Sequence, residues 1–448
     1  MPHSTAANPM SQAELESVVT RALEEARRGG ADQAEAGVAV DGGLSVTVRL
    51  GEVETIEYQR DRSMGITVYV AGRKGTASTA DLAWGPVSDT VHKALSIARF
   101  TAHDEFAGLA DAALMACDVP DLDLCHPWGL DAEAAIGLAR ECEAAALAVD
   151  PRVANSEGST VGSHQGLRVY GNTHGFVGGY PSTSHSVSCV VLAQEGEDMQ
   201  RDYWYDTARE AGALEAVGDI GRRAARRALE RLGARKLSTR RAPVLFVPEL
   251  ARGFLGHFVG AIRGGPQYRR SSFLLGAAGE QLFPGWLSMR ERPHLTRALG
   301  SAPFDNDGVA TRERLLVDAG VLQGYVLDAY SARKLGLVTT GNAGGVHNLE
   351  VEGGHGDFAA MLAKLGTGLV VTELMGQGVN AVTGDYSRGA AGIWVEGGEP
   401  AYAVHEVTIA GNLREMYRGI VAAGADMDLR GGIRTGSILV GEMTIAGD

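Results

Sequence analysis

Apolar positions along residues 12–28 recur at helical spacing, with Leu15, Val18, Val19, Ala22 and Ala26 on one face. Ser11 stands as the N-cap with Glu14 three residues later, the pairing of a capping box, and Gly29-Gly30 ends the helix. The pattern then changes to short β-branched runs bounded by turn residues: AEAGVAV, LSVTVRL, VETIEYQ and MGITVYVAG. These predict an antiparallel meander, closed by a second helix over 86–100. Residues 101–130 lose the periodicity, with DVPDLDLCHPWGLD as a linker. A helix over 131–149 opens a second unit. Four more strand-like runs follow, RVANSEGSTVG, GLRVYGNTHG, SHSVSCVVLAQEG and MQRDYWYDTA, and then a long basic-faced helix over 209–233.

The helix-then-meander order thus occurs twice. From Ala242 onward the chain is mostly strand and turn, with one helix in ELARGFLGHFVGAI and another near 412–422. The expected fold class is α+β: two helix-plus-meander subdomains, 12–105 and 125–236, and a β-rich C-terminal domain, 240–448. At 448 residues the chain is long enough for several cores. Its 61 glycines, roughly twice average usage, fit an architecture with many turns.

Charge narrows the partners. With 41 basic and 55 acidic residues the formal net charge is −14, which disfavours nucleic acid and anionic membrane surfaces. The one basic run, RGGPQYRR at 263–270, is expected to be a solvated loop. No apolar run approaches the ~20 residues of a membrane span. No basic-then-apolar leader pattern precedes the first helix, which points to a cytoplasmic location. Cys117, Cys125, Cys142 and Cys189 are unevenly spaced without a C-x-x-C pair, and are expected as free, buried thiols.

Several motifs imitate chemistry. Gly376-x-Gly378-x-x-Ala381 follows a strand-like run, with Glu396 at the spacing of a dinucleotide fingerprint. VNAVTGDYSRGAAGIW, which follows, has no helical period, so tight β-turns are expected there instead. FDNDG at 304–308 resembles the start of a calcium loop, but the position requiring a bidentate glutamate is Arg314. His405-Glu406 begins like H-E-x-x-H, yet Ile409 stands where the second histidine belongs and the segment alternates as a strand. Neither a G-x-S-x-G elbow nor a Walker loop is present.

In ELARGFLGHFVGAI, Leu250, Phe254, Leu255, Phe258, Val259 and Ile262 form an amphipathic core pattern, and His257 points toward its apolar side. A single histidine cannot hold a catalytic zinc, which takes three protein ligands. By itself, His257 reads as a core histidine.

Together GFLGHFVGAIRGGPQYRRSSFLL, SAPFDNDGVATRERLLVDAGVLQGYVLDAYSARKLGL, TTGNAGGVHN, GTGLVVTELMGQGVNAVTGDYSRGAAGIWVEGGE and VTIAGNLREMYRGIV resemble the TldD/PmbA family, and specifically its PmbA (TldE) branch. The resemblance implies a cytoplasmic heterodimeric metalloprotease acting on unfolded or flexible peptides of microcin or antitoxin type. It also implies that zinc sits on the TldD-like partner, in an H-E-x-x-x-H motif with a later cysteine. Aligning the Gly-His of that motif with Gly256-His257 puts the first histidine at Arg252, the glutamate at Gly253 and the cysteine at Thr435. This chain therefore keeps one ligand position and loses the others with the general base. The expectation is no catalytic residue and no metal on this chain, a TldD-like zinc subunit as partner, and a homodimer open to it when alone. Two alternatives remain: a self-sufficient metallopeptidase using His257 with His347 or His405, and a non-enzymatic regulatory binder of the gyrase-modulator type.

Overall fold

The computed structural model describes residues 10–352 and 354–447; residues 1–9, on which the leader expectation above bears, lie outside them. The first unit runs α1 (Gln12–Arg28), β1 (Gln33–Arg49), β2 (Glu52–Val70), β3 (Arg73–Thr79) and α2 (Trp84–Phe100). The second runs α3 (Ala132–Leu147), β4 (Val153–Asn172), β5 (Val177–Glu195), β6 (Asp198–Ala208) and α4 (Val217–Glu230). The capping box of α1 forms as read, with Ser11 and Glu14 exchanging hydrogen bonds.

These units share one antiparallel sheet, ordered β3-β2-β1-β4-β5-β6. Strand β1 is the seam. Its Ala34, Ala36, Val38 and Val40 join the core under α1 and α2, while its Leu44, Val46 and Val48 join the core under α3 and α4. The runs expected as separate short strands are therefore single strands of 17 to 20 residues. Asp41-Gly42-Gly43 looks like a turn but continues through, paired with Gly166, Gln165 and His164 of β4. A side chain at Gly43 would meet the His164 ring at 2.2 Å, so that glycine serves close approach rather than a bend.

The helix expected over 209–233 begins only at Val217, because 209–216 is held in bends and one short 3-10 turn, Ala211–Ala213. Arg209 donates to the Thr183 and Leu299 carbonyls, and Asp206 accepts the Glu215 amide. Helix α4 packs tightly on α3: a Cβ at Gly221 would lie 2.0 Å from the Cys142 carbonyl oxygen. Gly221→Ala is expected to lower stability by about 1–3 kcal/mol through overpacking, measured by urea denaturation.

The irregular stretch that precedes the expected linker is not loose. Arg333 donates to the carbonyls of Phe106, Gly108 and Leu109, fastening it to the C-terminal domain. Of the four free thiols, Cys142 and Cys189 are buried as expected, whereas Cys125 is half-buried and Cys117 exposed.

The C-terminal domain contains β7 (Arg240–Phe246), α5 (Pro248–Ala261), α6 (Gly264–Tyr268), β8 (Ser288–Glu291), β9 (Arg314–Asp318), β10 (Val321–Leu322) and α7 (Ala329–Lys334). It continues with β11 (Leu349–Glu352), α8 (Phe358–Leu365), β12 (Gly368–Met375), β13 (Asp385–Glu396), β14 (Glu399–Asn412), α9 (Leu413–Arg418), β15 (Ile420–Ala423), β16 (Ile433–Arg434) and β17 (Ile438–Ala446). One sheet has the order β10-β9-β8-β11-β16 and another β14-β13-β12-β7-β17-β15. Because β14 also pairs with β17, five strands of the latter close into a ring. The whole is α+β with a β-rich C-terminal region, as the hydrophobic patterning predicts. The 263–270 run departs from expectation: α6 forms within it, and buried Gln267 donates to the Ala261 and Leu274 carbonyls. Its Arg263, Arg269 and Arg270 are exposed.

No helix among the described residues is long and apolar enough to cross a membrane.

Candidate functional site: an arginine where a metal motif would begin

Helix α5 starts with Pro248 at its first turn, where a missing amide proton costs nothing, and buries Phe254, Leu255 and Phe258. Phe254 stacks on Phe246 at 5.2 Å and Tyr417 donates its hydroxyl to the Phe254 carbonyl at 3.1 Å, so the helix is fixed from below. Its opposite side carries Arg252, exposed Gly253 and half-buried Gly256, His257 and Gly260.

Arg252 does not reach into solvent. Its Nε lies 3.1 Å from Asp428 Oδ2, and its other nitrogens donate to the Arg430 carbonyl at 2.7 Å and the Tyr205 hydroxyl at 2.8 Å. Asp428 is almost fully buried, and accepts Arg430 Nε at 2.8 Å. Burial would raise the Asp428 carboxyl, but the Arg430 hydrogen bonds and the Arg430 and Arg252 charges hold it below the ordinary aspartate range. Thr435 is buried and its carbonyl accepts the Asp428 amide at 2.9 Å. The structure thus joins Arg252 and Thr435, 183 positions apart in sequence, through Asp428, whose carboxylate meets Arg252 and whose amide donates to Thr435.

The surrounding charges extend the network into the first sheet. Glu249 pairs with Arg227 of α4 at 2.8 Å, and Arg227 also meets buried Asp202 at 3.1 Å. Arg223, Arg227 and Arg430 all lie over the Trp204 ring, at 4.5, 5.3 and 4.4 Å. Glu249 is therefore a structural anion joining α4 to α5.

His257 is half-buried rather than core, edge-on to Tyr386 at 6.1 Å. Burial and the nearby Arg388 guanidinium push its pKa down, so the imidazole is neutral. His347 belongs to a different cluster, 3.2 Å from Glu291 on β8. His405 sits in β14, with the next residue, Glu406, paired to Lys236 at 3.0 Å. Among the described residues, no group of three or more His, Cys, Asp or Glu side chains could hold a metal ion. Of the four motif positions, three also do not suit a zinc site: Arg252 is a permanent cation, Gly253 has no side chain, and Thr435 hydrogen-bonds a backbone carbonyl.

The remaining decoys resolve as local structure. Residues 376–384 form turns between β12 and β13 with no helix at the glycines, and Glu396 ends β13. In 304–308, Asp305 accepts the amides of Asp307, Val309 and Ala343, an internal turn, and Arg314 pairs with Glu291 at 2.8 Å. A cavity of about 870 Å³ is lined by Tyr69, Lys74, His103, Asp104, Tyr330 and Lys334 among others, with no residue from α5.

Sequence reasoning missed Asp428, Arg430, Tyr205 and Asp202. A signal existed: an arginine on an otherwise apolar helix requires a buried anion, and DMDLRGGIRTGS supplies one just before Thr435.

Comparison with known proteins places this architecture. Residues 34–102, 125–232 and 239–447 match, in turn, domain 1, the central domain and the C-terminal domain of the PmbA/TldA metallopeptidases. The chain belongs to the PmbA/TldD family. It is 52% identical to metalloprotease PmbA of Escherichia coli O157:H7, covering 97% of this chain and 96% of that protein. It is 46% identical to the PmbA homologue of Haemophilus influenzae, over 100% and 99% of the two chains. The same organism's TldD homologue matches more distantly, at 25% identity over 40% of this chain. Among solved structures, a Bacteroides thetaiotaomicron protein described as a candidate modulator of DNA gyrase superposes with a TM-score of 0.92. That match has 28% identity and covers 97% of this chain and 99% of the other. TldE from Thermococcus kodakarensis shares the fold at a TM-score of 0.83 and 20% identity, over 96% and 99% of the chains.

Proposed function

We propose that this chain is the TldE-type subunit of a two-chain metallopeptidase that trims unfolded or flexible peptides, with zinc carried by a TldD-like partner. The observation that carries this reading is the Arg252–Asp428 ion pair at the position where a metal motif would begin. A guanidinium keeps its charge at every physiological pH, and here it is held in place by three partners. Gly253 offers no carboxylate to act as base. On this reading the chain contributes walls and strand edges that accept an extended peptide, and its cellular setting is the cytoplasm.

The test is metal analysis and peptidase assay of the purified chain, alone and with a TldD-like subunit. The expected result is no stoichiometric zinc and no hydrolysis from the pure chain, with activity appearing on addition of the partner. Stoichiometric zinc with activity in the pure chain sinks the proposal. In the two-chain enzyme, His257→Ala is expected to leave kcat/KM within about threefold of wild type once folding has been checked, since the imidazole packs on Tyr386. A loss of three orders of magnitude would instead make His257 a working ligand.

A further inference from the structure

Helix α5 is open along one flank. A Cβ added at Gly253, Gly256 or Gly260 would meet nothing within 4 Å, so no side chain covers the helix there. Gly253 and Gly260 are seven positions apart, about 10 Å along the helix axis, the reach of about three residues of extended chain. A glycine flank by itself names no ligand. The strand beside it does.

Tyr386 and Arg388 stand two positions apart on β13 and share the face turned toward α5. Tyr386 is 2% exposed and meets the His257 ring edge-on. The Arg388 guanidinium lies close enough for its charge to be felt by both the imidazole and the Tyr386 hydroxyl. The neighbouring arginines are neutralised: Arg227, Arg231, Arg252 and Arg430 each hold a carboxylate at 3.5 Å or less. Arg388 differs. Among the described residues no carboxylate comes within ion-pair distance of it, in a chain with 55 acidic residues to 41 basic ones. Its Nε is cut off from solvent without a hydrogen-bond partner, and so is the Tyr386 hydroxyl. Both groups are donors, and two buried donors side by side call for a shared acceptor. Water would accept their hydrogen bonds but leave the guanidinium uncompensated, so the fitting acceptor is an anion.

The surroundings select which anion. A guanidinium presents parallel N–H donors that match the two oxygens of a carboxylate. Arg388 is a single cation, and the His257 imidazole beside it is neutral. The guanidinium groups of Arg227 and Arg252 are already matched to Asp202, Glu249 and Asp428. One positive charge is left, which suits a monoanion better than a phosphate dianion.

We propose that Arg388, with the Tyr386 hydroxyl beside it, binds the terminal carboxylate of a short peptide lying along the glycine flank of α5. His257, being neutral, carries none of this binding. The carboxylate site stands on the geometry; its assignment to a peptide end rests on the peptidase reading, in which each hydrolysed bond leaves a fragment with a new terminal carboxylate.

Calorimetric titration of the purified full-length chain, without partner or metal, tests this with acetyl-tetra-alanine as the free acid and as the C-terminal amide. The acid is expected to bind roughly tenfold more tightly than the amide. Arg388→Gln is expected to weaken the acid roughly tenfold and leave the amide within about twofold, which removes the discrimination. Arg388→Lys keeps the charge without the fork and recovers only part of it. Unchanged circular dichroism confirms that the variants fold. Equal affinity for acid and amide, or no binding of the acid, overturns the proposal, as does an Arg388→Gln chain that still discriminates. Inorganic phosphate binding more tightly than the acid overturns the monoanion. A peptide amide with one internal aspartate that binds as tightly as the free acid keeps the carboxylate site and overturns the peptide end as its source. Zinc and activity in the pure chain sink the two-chain reading whatever these titrations give. Lost discrimination in a chain that still activates a zinc-bearing partner overturns this site alone.

Discussion

Replacing Asp428 by alanine is expected to lower the unfolding free energy by about 3–5 kcal/mol, the cost of leaving buried charge uncompensated. Its side chain is 1% exposed, against 20% for Arg252 and 11% for Arg430, so solvent screens the two guanidinium groups weakly. Without the carboxylate, Arg252 keeps its contacts to the Arg430 carbonyl and the Tyr205 hydroxyl, but neither neutralises it. The neutral double variant Asp428→Ala/Arg252→Met is expected to lose less than the sum of its parts, because methionine retains the apolar stem without the charge. Denaturant unfolding followed by tryptophan fluorescence is a suitable measurement, since Arg430 lies over Trp204. A loss below about 1 kcal/mol for Asp428→Ala would place the pair among solvent-screened surface bridges and remove the main support for the proposed function.

What the sequence made legible depended on whether a residue's role was local. The capping box of α1 needs only Ser11 and Glu14, three positions apart, and it formed as read. The apolar stripe of α5 likewise identified Phe254, Leu255 and Phe258 as buried. Strand length was not local. Gly42 and Gly43 carry a turn signal, yet the sheet runs through them because His164 of β4 occupies the space beside Gly43. Nor was it local that the two helix-plus-meander units share one sheet, since the β1–β4 pairing joins residues more than a hundred positions apart.

At the site, matching motif phrases aligned Arg252 and Thr435 with the metal-motif positions, and the structure brings them together through Asp428. It left the anion out: an arginine on an apolar helix called for one, but no spacing rule singles out an aspartate 176 residues from Arg252. It also placed His257 with the apolar face, whereas the ring sits at the margin of the core against Tyr386. The wheel angle was right, but the glycines at 253, 256 and 260 leave that flank of the helix open.

A second large effect is expected at Glu291, which organises the chain around His347. Its carboxylate is 2% exposed and accepts Arg314 Nε at 2.8 Å, Asn342 Nδ2 at 2.7 Å and the His347 amide at 2.7 Å. Burial would raise its pKa, but the hydrogen bonds from His347 and the Arg314 charge bring it below the ordinary glutamate range. Glu291→Ala leaves half-buried Arg314 without its anion and the groups bonded to the buried carboxylate without their acceptor, for an expected loss of about 3–5 kcal/mol. The pH dependence has a definite sign. Between the lowered native value and the ordinary value of about 4.3, the unfolded chain binds more protons than the folded one, so stability rises with pH there. The contribution is complete above the unfolded value and is lost as pH falls through the native one. Glu291→Gln cannot ionise, so the stability gap between it and wild type should be constant at neutral pH and shrink once pH drops below about 4. Stability curves of the two proteins that stay parallel down to pH 3 would show that the carboxylate is not the charged hub the hydrogen bonds describe.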